Sequence, residues 1–221
     1  MDYQKLETVY EDAECQILSS TGEGDLVLVS FTGIGHALGG IDVQKSEFLS
    51  ACRFGKTIFV IDKNRSWGNN LDVEFISEII LGLSNNKPIV TLGNSMGGFL
   101  CILFSKYLSA KVSLAFAPQW SISSAIVPSE KRWLKYRKKI KKIKHVDLKN
   151  SFDPCCKYVI FFGDNEVERV HSDFFEKVDS ISVTKIEGVA HDVASHLKKI
   201  GMLNSLIENS LASDSIDISF V

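Results

Sequence analysis

Five short apolar runs, each closed by turn-forming residues, recur along the chain: "DLVLVSFTG" (25–33), "KTIFVIDKN" (56–64), "KPIVTLGNS" (87–95), "KVSLAFAPQ" (111–119) and "KYVIFFGDN" (157–165). Runs of this length, rich in Val, Ile and Phe, suit strands buried on both faces of a parallel sheet. A sixth, "SISVTKIEG" (180–188), alternates more strongly and is expected near an edge. Helical spacing fills the gaps: "LDVEFISEIILGL" carries apolar residues at 71, 75, 76, 79, 80 and 83, and "GFLCILFSKYLS", "ERVHSDFFEKV" and "HDVASHLKKIGMLNSLI" behave likewise. Strands that alternate with helices predict an α/β protein with a mostly parallel central sheet and helices on both faces. "TVYEDAECQILSS" reads as one or two antiparallel flanking strands, and "ASDSIDISFV" (212–221) as a tail or an added edge strand. At 221 residues the chain suffices for a single domain, 1–221, with one sizeable core.

One segment interrupts the alternation. Residues 119–153, "QWSISSAIVPSEKRWLKYRKKIKKIKHVDLKNSFD", are inserted between two strands. Between 130 and 149 they carry ten Lys and Arg against two acids, a surplus of +8 in a chain whose net charge is −2. The remainder is therefore at −10. Such a cationic insertion is expected to act as a cap or lid over the carboxyl ends of the strands. It reads either as a solvated helix face or as a surface for an acidic substrate or partner, with Trp120 and Trp133 as substrate-binding residues and Tyr136 beside them. A basic amphipathic helix here would also suit an anionic membrane surface.

Composition narrows the function classes. A net charge of −2 gives no general affinity for nucleic acid. No apolar run approaches the roughly 20 residues that span a bilayer, and the polar, acidic start "MDYQKLETVYEDAE" lacks the pattern of a signal peptide, so no stable membrane insertion and a cytoplasmic location are expected. Cys15, Cys52, Cys101, Cys155 and Cys156 are odd in number and lack metal-ligand spacing, which fits buried thiols in a reducing compartment and no metal site.

Chemistry concentrates around "VTLGNSMGGFLCILF" (90–104). Here G-x-S-x-G lies between a predicted buried strand and a predicted helix, the setting in which a sharp turn lifts a serine out of the sheet. Small residues at 93 and 97 allow close backbone approach, and Gly98 eases helix packing. The helix N-terminus beside Ser95 offers free N–H donors to an oxyanion. A phosphate-binding turn is the alternative, yet neither G-x-G-x-x-G nor a P-loop lysine is present. A serine nucleophile requires a base. His191, in a G-x-x-H turn after the last strand, is best placed; His196 lies further into the helix, and His36, His145 and His171 are weaker candidates. The third member is a carboxylate that fixes the histidine tautomer. "VIFFGDNEVERV" supplies three acids, Asp164, Glu166 and Glu168, each of which keeps a serine–acid–histidine order.

The TGIG loop (32–35), the GNSMGG elbow, the GDNE turn and the G-x-x-H turn together resemble the α/β-hydrolase superfamily over residues 25–205. The resemblance implies an α/β-hydrolase fold with a short basic cap, and backbone N–H groups of Ile34 and Met96 as oxyanion donors. "SFTGIG" differs from the common H-G-x-G form in carrying Thr32, and Glu166 stands where the family's G-D-x-D turn places its catalytic aspartate, so the resemblance ranks the acids Glu166, Asp164, Glu168. "SWGNN", "SMGG" and "AFAPQWSISSAIVPSEKRW" are further similar to a branch of hydrolases found alongside bacterial surface-polysaccharide enzymes. The implied function is a serine esterase, thioesterase or deacylase that forms an acyl-enzyme, requires no cofactor, and acts on a small-molecule or carbohydrate-linked acyl substrate; the cationic insertion favours an acidic one. A non-catalytic hydrolase-like module is the rival from another class, and an acyltransferase would use the same residues. Oligomeric state is left open.

Overall fold

The apolar runs form strands because a two-sided apolar surface is satisfied only between two layers of helices. In the computed structural model, which describes residues 5–38, 41–178 and 181–212, the strands are β1 (Leu6–Glu11), β2 (Cys15–Ser20), β3 (Val27–Phe31), β4 (His36–Leu38), β5 (Ile41–Val43), β6 (Lys56–Asp62), β7 (Ile89–Asn94), β8 (Val112–Phe116), β9 (Lys157–Gly163) and β10 (Ile181–Ile186), of which β3 and β6 to β10 are the apolar runs. The helices are α1 (Val73–Ser84), α2 (Met96–Ser105), α3 (Leu134–Arg137), α4 (Glu166–Phe175), α5 (Val193–Lys199) and α6 (Leu203–Ala212).

Eight strands form one sheet in the order β1-β2-β6-β3-β7-β8-β9-β10, and β4 and β5 make a separate antiparallel pair. From β6 to β10 every pairing is parallel; β1 and β2 join antiparallel at one end. The sixth predicted strand, β10, is the opposite edge. Along β3, Val27, Val29 and Phe31 enter one core layer with α1, α2 and α4, while Leu28 enters the other with α5 and α6. β3 thus buries both of its faces. After β3 the chain adds β6 on one side and then crosses to β7 on the other. The carboxyl ends of β3 and β7 therefore flank the point where strand order reverses, the usual crevice for a ligand in open α/β sheets.

Three expectations change. The predicted helix over 191–207 is two helices, because Gly201 at φ +77° turns the chain between α5 and α6. Residues 119–153 are mostly turns with one helical turn, α3, so there is no long basic amphipathic helix to lie on a membrane. Helix α4 starts at Glu166, two residues earlier than its apolar spacing suggests, because the Asn165 side chain caps it by accepting from the Glu168 N–H at 2.9 Å. Residues 213–221 lie outside the described residues. Among the described residues no helix is long and apolar enough to cross a membrane. Cys15, Cys101 and Cys156 are buried, Cys52 is half-buried and Cys155 is exposed.

Candidate active site

The turn from β7 into α2 fits only glycine at two positions. A Cβ on Gly93 would lie 2.1 Å from the Gly97 carbonyl oxygen, and one on Gly97 would lie 2.1 Å from the Phe31 carbonyl oxygen. This crowding forces Ser95 to φ 55°, ψ −118°, a strained conformation for a side chain-bearing residue that costs about 1–3 kcal/mol. Such strain persists only where the surroundings hold it. Here β7, α2 and β3 do so, and Ser95 N–H donates to the Phe116 carbonyl at 2.8 Å.

His191 reaches this serine because Gly163 ends β9 against the loop that follows β10. A Cβ on Gly163 would meet the Val189 and Ala190 carbonyls at 2.2 and 2.3 Å. His191 Nε2 lies 2.8 Å from Ser95 Oγ, and Nδ1 lies 2.9 Å from Glu168 Oε1. A proton on Nδ1 then faces the carboxylate, and unprotonated Nε2 accepts from the serine hydroxyl. The carboxylate on His191 is thus Glu168, not Glu166 or Asp164. Helix geometry is the cause: Glu166 and Glu168 are about 200° apart on α4, so Glu166 is exposed while Glu168 is only 1% exposed. Burial pushes the Glu168 carboxyl up, but the hydrogen bond and charge of His191, with the charge of Arg132, hold it below the ordinary glutamate value.

The insertion adds charge to this relay. Arg132 Nη1 donates to Glu168 Oε1 at 2.6 Å and stands 3.0 Å from His191 Nδ1. The same guanidinium binds both oxygens of Glu130. Glu130 Oε2 in turn accepts from His171 Nε2 at 2.8 Å, and His171 Nδ1 accepts the Trp120 backbone N–H at 3.1 Å, which places the His171 proton on Nε2. Burial raises the Glu130 carboxyl, yet His171 and Arg132 outweigh it and bring it down to about 2. Arg132 is therefore committed to two carboxylates and is not free for a substrate anion.

Met96 begins α2, so its N–H is not used within the helix. The loop after β3 lies against the elbow, since a Cβ on Gly97 would also come within 3.2 Å of Gly33 N. Gly33 N–H donates to Glu47 Oε1 at 3.2 Å, and the Ile34 carbonyl accepts from Arg65 Nε at 2.9 Å. Burial raises the Glu47 carboxyl to about 7.

Besides Arg132, two residues absent from the sequence-based site lie at it. Gln119 Nε2 donates to Ser95 Oγ at 3.1 Å, and Trp67 Nε1 donates to Gln119 Oε1 at 3.0 Å. Trp67 is aimed by the loop after β6, where buried Asp62 Oδ2 accepts from Ser66 N–H, Ser66 Oγ–H and Gly68 N–H. Gln119 lies within "AFAPQWSISSAIVPSEKRW" and Trp67 within "SWGNN", but nothing in their spacing pairs them. Trp120, expected at the substrate, instead stacks on Phe174 at 5.5 Å and on Phe152 at 6.0 Å, packs edge-on to Phe175, and is buried. Trp133 is half-buried against the core. His196 lies in α5 and His145 packs by Gly68; neither meets Ser95. Among the described residues no cluster of His, Cys, Asp and Glu is arranged to hold a metal ion.

No family model and no curated protein matches the chain. Solved structures do. The capsule O-acetyltransferase of Neisseria meningitidis serogroup A aligns over 90% of this chain and 93% of its own at 16% identity, with a TM-score of 0.66. A serine hydrolase without lid from Xanthomonas campestris aligns over 97% and 98% at 12% identity, TM-score 0.60. Est1E from Butyrivibrio proteoclasticus aligns over 94% and 99% at 13% identity, TM-score 0.60.

Proposed function

From an α/β-hydrolase fold as premise, we propose that the chain is a serine enzyme that takes an acyl group from an ester or thioester through an acyl-enzyme on Ser95. The observation that carries this reading is the unbroken Ser95–His191–Glu168 contact on a strained elbow. Ser95 Oγ attacks the acyl carbonyl as its proton passes to His191 Nε2, and Glu168 stabilises the imidazolium. The Met96 N–H, with Ile34 N–H from the neighbouring loop, receives the oxyanion. His191 returns the proton to the leaving group, then activates water to release the acyl group.

A second reading, transfer of the acyl group to a sugar hydroxyl, uses the same steps with a different final acceptor. It is favoured by the likeness to the meningococcal capsule O-acetyltransferase, a mutant of which has been solved with CoA. A carbohydrate-linked substrate also accords with the likeness to an acetyl xylan esterase from Paenibacillus sp. R4, TM-score 0.54. Exposed Lys138, Lys139, Lys141, Lys142 and Lys144 favour an acidic substrate in either case.

The test is rapid-quench mass analysis with p-nitrophenyl acetate. The expected result is a burst of nitrophenol with acetyl on the Ser95 peptide, and faster turnover when an oligosaccharide acceptor is added if transfer is the reaction. Turnover with no acetyl on Ser95 would refute the acyl-enzyme.

A further inference from the structure

Gln119 is the first residue of the insertion, it is 1% exposed, and it touches the hydroxyl on which the proposed reaction turns. A primary amide has a donor end and an acceptor end. Trp67 Nε1 has only a proton to give and points at one end, at 3.0 Å, so that end is Oε1 and the other is the NH₂ group. The NH₂ group lies 3.1 Å from Ser95 Oγ. Facing a donor, the hydroxyl cannot give its proton to Gln119. It gives it to His191 Nε2, 2.8 Å away.

We propose that Gln119 is a catalytic residue that donates to Ser95 Oγ throughout the reaction, an inference that rests on the acyl-enzyme reading above. During attack the Oγ–H bond breaks, the proton moves to His191, the Oγ–C bond forms and the carbonyl pair becomes the oxyanion. During deacylation the Oγ–C bond breaks and Oγ takes the proton back from His191. In both steps negative charge passes through Oγ, and a fixed donor that is itself buried stabilises it without reorganising. Gln119 neither gains nor loses a proton. Its role differs from that of the Ile34 and Met96 N–H groups, which address the carbonyl oxygen.

The test follows the second-order rate of Ser95 labelling by a small fluorophosphonate in two variants. Gln119→Met keeps the volume and removes the donor, and is expected to label about 10- to 100-fold more slowly. Gln119→Glu keeps an acceptor for Trp67. Once ionised it offers Ser95 an acceptor in place of a donor, and the hydroxyl proton turns away from His191. Its labelling rate should therefore fall as pH rises through the titration of the introduced carboxyl, over a range where the wild-type rate does not fall. The pH profile lies within one variant, so it stands even if the methionine variant folds poorly. A folded methionine variant labelled within about 2-fold of wild type, or a parallel glutamate profile, overturns the proposal while leaving the acyl-enzyme intact. Failure of the wild type to label overturns both.

Discussion

The elbow at 93–98 and the insertion at 119–153 bring side chains to the same hydroxyl by different means. The elbow is a strand, a tight turn and a helix, and backbone crowding around Gly93 and Gly97 fixes Ser95. The insertion has one helical turn of four residues, yet it sets Gln119 on Ser95 and Arg132 on Glu168 through side-chain hydrogen bonds and ion pairs. The lesson concerns tolerance. A site held by backbone sterics fails on the addition of one carbon, whereas a site held by polar side chains fails when a charge or a donor is removed, and responds to pH.

The largest effects belong to the relay common to both regions. His191→Ala and Glu168→Gln should lower kcat for a short acyl ester by about 10³- to 10⁴-fold, the glutamine because it leaves the histidine tautomer unsupported. Exposed Glu166→Gln should change it less than about 3-fold. Equal losses in the two glutamate variants would erase the assignment drawn from the two faces of α4.

Next is the tie between insertion and sheet. Arg132→Met leaves Glu130 and Glu168 buried without their cation, and should cost about 3 kcal/mol of stability. Chemical denaturation would read that loss together with a fall in kcat. An unchanged unfolding midpoint would mean that the insertion merely rests on the site.

The pH responses of two glutamates separate the regions further. Glu130 in the insertion has a folded value near 2, below the ordinary 4.5, so its contribution is present above pH 4.5 and is lost as pH falls toward 2. Glu47 beneath the loop after β3 has a folded value near 7, so its contribution is present below pH 4.5 and is lost as pH rises toward 7. Each amounts to on the order of 2–3 kcal/mol. Glu130→Gln should therefore destabilise at pH 7, and Glu47→Gln should stabilise at pH 8 and be nearly neutral at pH 4, as read by thermal melts across pH. Reversed signs would contradict the burial and pairing given for each.

The smallest effect concerns substrate charge. Replacing Lys139, Lys141 and Lys142 with glutamine should leave a neutral ester untouched and raise KM for an anionic one several-fold at low salt, less at high salt. A change with the neutral ester would show that these lysines support the fold.

The parallel sheet, the elbow and His191 were legible in the sequence because each follows from local pattern: apolar runs, G-x-S-x-G between a strand and a helix, and a histidine closing the last strand's turn. Glu168 was legible in part. Asn165 and Glu168 have the spacing of a helix-capping pair, and reading the helix start at Glu166 would have turned Glu166 outward and Glu168 inward. Trp120 misled because an aromatic residue beside a basic segment resembles a binding surface, while Phe152, Phe174 and Phe175, distant in sequence, enclose it. Gln119 and Arg132 were not legible. Their contacts at the site, with Ser95, Glu168 and His191, lie 24 to 59 residues away, and turns carry no period from which facing side chains can be inferred.

The most direct measurement of the central claim is intact mass after treatment with a fluorophosphonate, beside Ser95→Ala. One adduct per chain on the wild type and none on the alanine variant is the predicted result. A folded wild-type protein that takes no adduct, or an alanine variant that still takes one, would contradict an activated serine at the elbow.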